Sequence, residues 1–272
     1  MGKREQYVKY LRSLLEGDAG AAELEAFLVS NSNLPGPRGN LELAFALADC
    51  FEAPEVGGRH PDLLRRWSAI SPREAGVNDP RSFLTFCAVV SLGAWYTQAP
   101  EGVRGEVLGS IKAAASDTRW RVREASAMAF QRIAEKDFSV VRDVFSSWVE
   151  TATLMEMRAM EAALAHPPIL SVRETADFCF EVTDAILRHV ESLPADERRS
   201  EDFRVLRKGL EYTIGVFAAA APDAGFPFLR RWAWSDDADV VGIIRRNLAK
   251  SRLARRYPQE VLELQEGISG GS

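Results

Sequence analysis

Residues 117–133 read DTRWRVREASAMAFQRI. Placed on a helix at about 100° per residue, they divide into two opposite faces. One face carries only small or apolar side chains and predicts the core side of the helix: Val122, Ala125, Ser126, Ala129 and Ile133. The opposite face starts with Trp120 and Glu124, an indole and a carboxylate one turn apart. Such a pair is an unusual choice for a face that meets only water.

The composition favours a chain made of helices. Ala, Leu, Arg and Glu dominate, and strictly alternating runs of Val, Ile and Thr are absent. With 272 residues, 46% hydrophobic and 27% charged, the chain is long enough to bury a core of its own. The net charge of −5 argues against a protein that coats nucleic acid with its whole surface, although it leaves room for a local basic groove.

Apolar periodicity and the placement of proline and glycine predict the helices. We expect them at 3–16, 20–30, 41–52, 62–68, 81–98, 102–115, 119–135, 138–150, 153–165, 172–192, 201–220, 223–233, 238–250 and 258–266. Asp117 or Thr118 is expected to cap the helix at 119–135, and Asn40 the helix at 41–52. Asn40 ends the clearest loop, NSNLPGPRGN at 31–40, which we interpret as a structural turn; the alternative is an anion-binding loop before a helix.

The helices divide into a less regular and a more regular part. We predict a helical cap over 1–75, helical repeats over 76–266 and a flexible tail over 267–272, with one continuous domain as the alternative. The Val122-Arg123 pattern recurs at Met157-Arg158 and more loosely at Val240-Val241, at intervals that fit units of roughly 40 residues. The fold expected is all-α, a right-handed α-α superhelix of stacked antiparallel helix pairs with a continuous core.

The order Asp117, Val122, Arg123, Ala125, followed by more small residues, resembles the HEAT repeat. Segments 120–133 and 237–261 are similar to the HEAT-like alkylbase DNA glycosylases, and the resemblance covers roughly 100–261. It implies a HEAT-like solenoid. In those glycosylases an aromatic residue and a carboxylate on the concave surface face a cationic alkylated base and its sugar.

Trp120 and Glu124 match that catalytic pair by residue type and spacing. An indole face attracts a cationic base, and a carboxylate can stabilise positive charge on a sugar as the glycosidic bond breaks. In the alternative reading, Trp120 packs between helix layers and Glu124 forms a salt bridge to Arg121 or to a neighbouring helix.

Basic residues form clusters around Trp120 and near the C-terminus. The candidate nucleic-acid contacts are Arg119, Arg121, Arg123, Arg245, Arg246, Lys250 and Arg252. On a continuous helix Arg245, Arg252 and Arg256 would share a face. Such clusters can bind backbone phosphates, or they can form a solvated surface.

No motif indicates a cofactor or a metal ion. Cys50, Cys87 and Cys179 lack metal-ligand spacing and are expected to be buried free thiols in a reducing cytoplasm. No apolar segment reaches the length of a membrane span, so a cytoplasmic protein without a membrane partner is expected. The leading hypothesis is a binding protein whose concave surface engages a macromolecule, either DNA or a protein. The second is a DNA glycosylase for cationic alkylated bases, or a catalytically inactive damaged-DNA reader.

Overall fold

The computed structural model describes residues 2–16, 21–58 and 60–270. Within these ranges the secondary structure is entirely helical, with sixteen α-helices, three 3-10 turns and no strand. The predicted all-α fold is therefore confirmed for the described part of the chain. None of the described helices combines the length and the apolar character that a membrane span requires.

The chain divides into two compact units, Met1–Asp137 and Phe138–Ser272. The N-terminal unit contains α1 (Lys3–Glu16), α2 (Ala21–Ser30), α3 (Leu41–Phe51), α4 (Pro54–Gly57), α5 (Pro61–Ser68), α6 (Ser82–Trp95), α7 (Glu101–Ala114) and α8 (Trp120–Lys136). The C-terminal unit contains α9 (Phe138–Trp148), α10 (Leu154–Leu164), α11 (Arg173–Ser192), α12 (Glu201–Ala220), α13 (Pro222–Ala233), α14 (Ala238–Leu248), α15 (Ser251–Ala254) and α16 (Pro258–Gly270).

The centre of the N-terminal unit is α6, which is buried along its whole length. It lies against α3 on one side and α8 on the other, while α5 and α7 pack beside it. The backbones of α6 and α8 come very close at Gly93, where a Cβ atom would lie 2.4 Å from the Ala129 carbonyl oxygen. Only a residue without a side chain fits this approach.

The C-terminal unit has a comparable arrangement around α12, which packs against α10 and α14 as well as α11 and α13. The buried Asn247 side chain connects α14 to α12: its amide donates to the Leu210 carbonyl at 2.8 Å, and its oxygen accepts from the Gly215 N–H at 2.7 Å. Side-chain caps from Thr153, Ser200 and Asp237 begin α10, α12 and α14. In each unit, three helices thus pack in a row, α3, α6 and α8 in one and α10, α12 and α14 in the other, and helices that come between them in the sequence pack beside the row.

The predicted core stripe of α8 is confirmed, because all five of its side chains are buried. The predicted cap of α8 is wrong. Arg119 occupies the N-cap position without a side-chain cap, and the Asp117 carboxylate instead accepts from the backbone N–H and guanidinium of Arg119. Asn40, by contrast, caps α3 as predicted, accepting from the Leu43 N–H at 3.2 Å.

Other boundaries also differ from the sequence prediction, and the largest differences concern the middle and the end of the chain. The loop near residue 75 lies inside the N-terminal unit, where α6 packs against α3 and α5. The helix predicted at 238–250 ends at Leu248, and a short separate helix follows. The last helix continues through Gly270, into the predicted tail; residues 271–272 lie outside the described ranges.

Candidate functional site

Trp120 and Glu124 lie on the first two turns of α8 and line the same pocket. The Trp120 side chain is 41% exposed, so it is not enclosed between helix layers, and Glu124 is half-buried. The pocket has a volume of about 290 Å³. It is lined by Pro37, Arg38, Gly39, Leu41, Phe83, Phe86, Trp120, Arg121, Glu124 and Met128. We call it the Trp120 pocket.

The loop at 33–40 forms one side of this pocket and is held by its own hydrogen bonds. Asn33 adopts the left-handed region at φ 61°, and the Asn40 backbone N–H donates to the Ser32 carbonyl at 3.0 Å. A Cβ atom at Gly36 would lie 2.5 Å from the Asn33 carbonyl oxygen, so this turn requires glycine. The predicted structural turn is therefore present, and it places Pro37 to Gly39 against the pocket.

Arg121 connects this loop to α8. Its guanidinium donates to the Val77 carbonyl at 2.7 Å and to the Gly36 carbonyl, and it stacks over the Trp120 ring at 4.5 Å from the centroid. The residue is only 7% exposed, and its Nε atom is buried without a hydrogen-bond partner. Burial lowers the pKa of Arg121.

No carboxylate of the described residues forms an ion pair with Arg121, so the alternative of a salt bridge between Arg121 and Glu124 is not realised. The Trp120 pocket therefore contains a buried positive charge whose hydrogen bonds go to backbone carbonyls. A buried cation of this kind attracts anionic or electron-rich groups and repels other cations.

Arg119 and Arg123, the neighbours of Trp120 and Glu124 in sequence, have structural partners. The Arg119 guanidinium is buried, forms an ion pair with Asp117 at 2.7 Å, and donates to the carbonyls of Ile70 and Ala75. Arg123 donates to the Asp117 carbonyl at 2.7 Å. Arg119 is thus not accessible to a phosphate group, and Arg123 reinforces the N-terminus of its own helix.

The second basic cluster belongs to the C-terminal unit. Arg245 and Arg246 are exposed near the end of α14, whereas Lys250 and Arg252 are half-buried. The break after Leu248 separates α14 from α15, so the residues of the cluster do not share one continuous helical face. Arg252 stacks over the Tyr212 ring at 4.0 Å.

Sequence reasoning did not find Phe83, Phe86, Leu41 and Arg38 as parts of the site. They come from two segments, 38–41 and 83–86, that are far apart in sequence, and only the proximity of the 31–40 loop to α6 and α8 brings them together at the pocket. In the sequence, the signals for these residues were the Gly/Arg composition of the 31–40 loop and the apolar residue Leu41 directly after it. The structure shows that Leu41 is exposed.

The three cysteines are buried free thiols, as predicted. Burial raises the pKa of the Cys50 thiol to about 11 and those of Cys87 and Cys179 well above the ordinary range, which leaves these thiols protonated and unreactive. In the described ranges, no group of three or more His, Cys, Asp or Glu side chains could hold a metal ion.

The resemblance to the HEAT repeat rests on the segments 120–133 and 237–261 of the sequence. Compared with protein-family models and with curated proteins, the chain matches none of them.

Proposed function

We propose that this chain is a DNA-binding protein whose Trp120 pocket receives a single unpaired base. The observation that carries the proposal is the exposed indole of Trp120 at a pocket that is lined by Phe83 and Phe86 and also by Glu124. Stacking on an aromatic side chain contributes about 1–3 kcal/mol per base and does not require a particular sequence.

The size and chemistry of the pocket fit one planar group. Its volume of about 290 Å³ lies at the small end of ligand pockets. Leu41 and Met128 offer apolar surface to a base, while Phe83 and Phe86 are buried side chains at the same pocket. The Glu124 carboxylate can accept from N–H groups at the edge of the base. Arg38 is exposed at the same pocket and can meet a neighbouring phosphate.

The exposed apolar residues also support the Trp120 pocket as the binding site. Large apolar side chains are exposed at eight positions of the described chain. Three of these residues lie near the pocket: Leu41 and Trp120 line it, and Val77 is joined to Trp120 through Arg121, which donates to the Val77 carbonyl and stacks on the indole ring. Neighbouring exposed apolar residues next to cations indicate a binding surface more than an ordinary solvated one.

The proposal includes the HEAT-like, right-handed superhelix predicted from the sequence. Its support is the row of three packed helices in each unit, α3, α6 and α8 in one and α10, α12 and α14 in the other. Rows of this kind are how helix-pair repeats build an extended concave binding surface.

The test is fluorescence anisotropy with three labelled duplexes: one fully paired, one with a single extra unpaired base, and one whose extra residue is abasic. We expect the duplex with the unpaired base to bind roughly tenfold more tightly than the other two, as expected for one stacked base. Trp120→Ala should abolish this preference, and Trp120→Phe should retain part of it. Trp234→Phe is the matched control, because Trp234 is 58% exposed and does not line the pocket.

Equal affinity for all three duplexes, unchanged by Trp120→Ala, would overturn the assignment of the pocket. Absence of DNA binding at low salt would remove DNA as the partner and favour the protein partner. The first result would decide the role of the pocket, and the second would decide the class of ligand.

A second candidate function is a DNA glycosylase that releases cationic alkylated bases. One observation favours it, namely that Glu124 lines the same pocket as the exposed Trp120. The stacked Arg121 guanidinium opposes it, because a cation already lies over the indole ring. Release of 7-methylguanine from a methylated duplex by the wild-type chain, and its loss in Glu124→Gln, would establish this activity; no release would leave DNA binding alone.

A further inference from the structure

A separate pocket of about 420 Å³ lies in the C-terminal unit. It is lined by Pro167, Leu170, Ser171, Val216, Ala219, Ala220, Arg252 and Arg256. Its floor is made of small apolar groups from the end of α12 and from the turn after α10, and its charged groups are two arginines. No acid lines this pocket, whereas the pocket along α1 combines Arg4 and Arg12 with Glu5, Glu16 and Asp49.

The charges of Arg252 and Arg256 are not compensated within the described chain. Most other arginines of the C-terminal unit have a carboxylate partner, namely Arg142, Arg173, Arg188, Arg198, Arg204, Arg207, Arg230 and Arg231. In the segment 242–256, by contrast, no basic side chain forms an ion pair with a described carboxylate: Arg245, Arg246, Lys250, Arg252, Arg255 and Arg256. Uncompensated cations in one short segment create a local positive potential in a chain with a net charge of −5.

Two tyrosines hold these guanidinium groups without neutralising them. Arg252 lies 4.0 Å from the Tyr212 ring centroid, and Arg256 lies 5.4 Å from that of Tyr257. Stacking uses the flat face of a guanidinium and leaves its N–H donors at the edge available. A pair of oriented guanidinium edges above an apolar floor is suited to the oxygens of a phosphate group and the carbons of its sugar.

We propose that Arg252 and Arg256 form a phosphate-binding site that holds a backbone phosphate of DNA. This inference rests on the proposed function and adds a second point of attachment, one that carries no sequence or lesion preference. A polyanion is favoured over a small phosphorylated molecule, because the uncompensated cations extend along the segment 245–256, beyond what one phosphate group can occupy.

The experiment compares the salt dependence of DNA binding for the wild-type chain and for the double variant Arg252→Gln/Arg256→Gln. Each phosphate contact contributes close to one unit to the slope of log affinity against log salt concentration. We expect the double variant to lower this slope by about 1 and the affinity by about tenfold, equally for the paired duplex and the duplex with an unpaired base. The preference for the unpaired base should be unchanged.

The matched control is Arg204→Gln/Arg230→Gln, which removes the same charge from exposed arginines that have carboxylate partners. The control should leave the slope near the wild-type value. An equal change in both double variants, or an unchanged slope in Arg252→Gln/Arg256→Gln with wild-type thermal unfolding, would overturn the site.

Competition with adenosine monophosphate distinguishes the source of the phosphate. Displacement of DNA by this monoester at micromolar concentration would assign the site to a small phosphorylated ligand and would overturn the backbone assignment.

If the unpaired-base preference is absent while the slope still depends on Arg252 and Arg256, the proposed function fails and the phosphate site stands. If DNA does not bind at all, both fail.

Discussion

The guanidinium of Arg121 lies 4.5 Å from the centroid of the Trp120 ring, and the same group donates to the carbonyls of Gly36 and Val77. One buried side chain therefore holds the exposed indole and also joins two loops to the start of α8. The geometry of the Trp120 pocket depends on this contact, because Pro37 and Gly39 lie directly beyond Gly36.

Replacing Arg121 with methionine should loosen the loop at 33–40. Methionine keeps the apolar stem but removes both hydrogen bonds to the loops, and we expect a loss of about 1–3 kcal/mol in the free energy of unfolding. The exposed Arg38 offers a direct measurement, because trypsin cleaves after arginine. Cleavage after Arg38 should become faster in Arg121→Met than in the wild-type chain.

Arg123→Met is the control for this experiment, because Arg123 donates to the carbonyls of Asp117 and Thr118 at the start of its own helix. It should leave cleavage after Arg38 unchanged. If Arg121→Met were cleaved at the wild-type rate, the loop would be held by its internal hydrogen bonds alone.

Gly93→Ala should destabilise the N-terminal unit strongly. The added Cβ would lie 2.4–2.7 Å from backbone atoms of Ala129, which cannot move without separating α6 from α8. We expect a loss of about 1–3 kcal/mol or more from overpacking, measured by urea unfolding. Gly105→Ala in α7 should have the opposite sign, with a gain of about 0.5–1 kcal/mol, because nothing lies near its Cβ position and alanine favours a helix.

Glu161 should make stability depend on pH. It is fully buried, it accepts hydrogen bonds from Thr183 at 2.7 Å and from Thr213, and burial raises its pKa from 4.5 to about 7. The folded chain keeps this proton up to about pH 7, whereas the unfolded chain releases it near 4.5. The stabilising contribution is therefore fully present below about pH 4.5 and is lost as pH rises to about 7, by a few kcal/mol.

Glu161→Gln tests this pH dependence, since glutamine has nearly the same shape and does not titrate. The difference in unfolding free energy between Glu161→Gln and the wild-type chain should grow in favour of the variant between about pH 5 and about pH 8. Parallel curves over this range would show that the carboxyl group does not titrate there.

Asn247→Ala should weaken the packing of α14 against α12. The substitution removes the acceptor of the Gly215 N–H and the donor to the Leu210 carbonyl, both in a fully buried place. We expect a loss of about 2–4 kcal/mol, since buried backbone groups lose their partners and a small cavity forms. Asn78→Ala, at an exposed position, should change the unfolding free energy by less than about 0.5 kcal/mol.

The amino-acid sequence by itself determined the longer helices, whereas the four-residue helices α4 and α15 were not predicted. The apolar periodicity of the longer helices, the proline positions and the Asn40 cap are properties of neighbouring residues, so the predicted bounds lie within a few residues of those observed, and the core stripe of α8 is buried as expected. The same local pattern placed Trp120 and Glu124 together on the face opposite that stripe.

Only the tertiary structure decided what the polar residues do. Arg119, Arg121 and Arg123 look alike in the sequence, yet one is buried in an ion pair, one stacks on Trp120 beneath the 31–40 loop, and one supports its own helix. The partners of Arg119 and Arg121 include Ile70 and Gly36, the latter 85 residues away in sequence. Periodicity is set by adjacent residues, whereas burial, charge compensation and the lining of a pocket depend on segments that meet only when the chain folds.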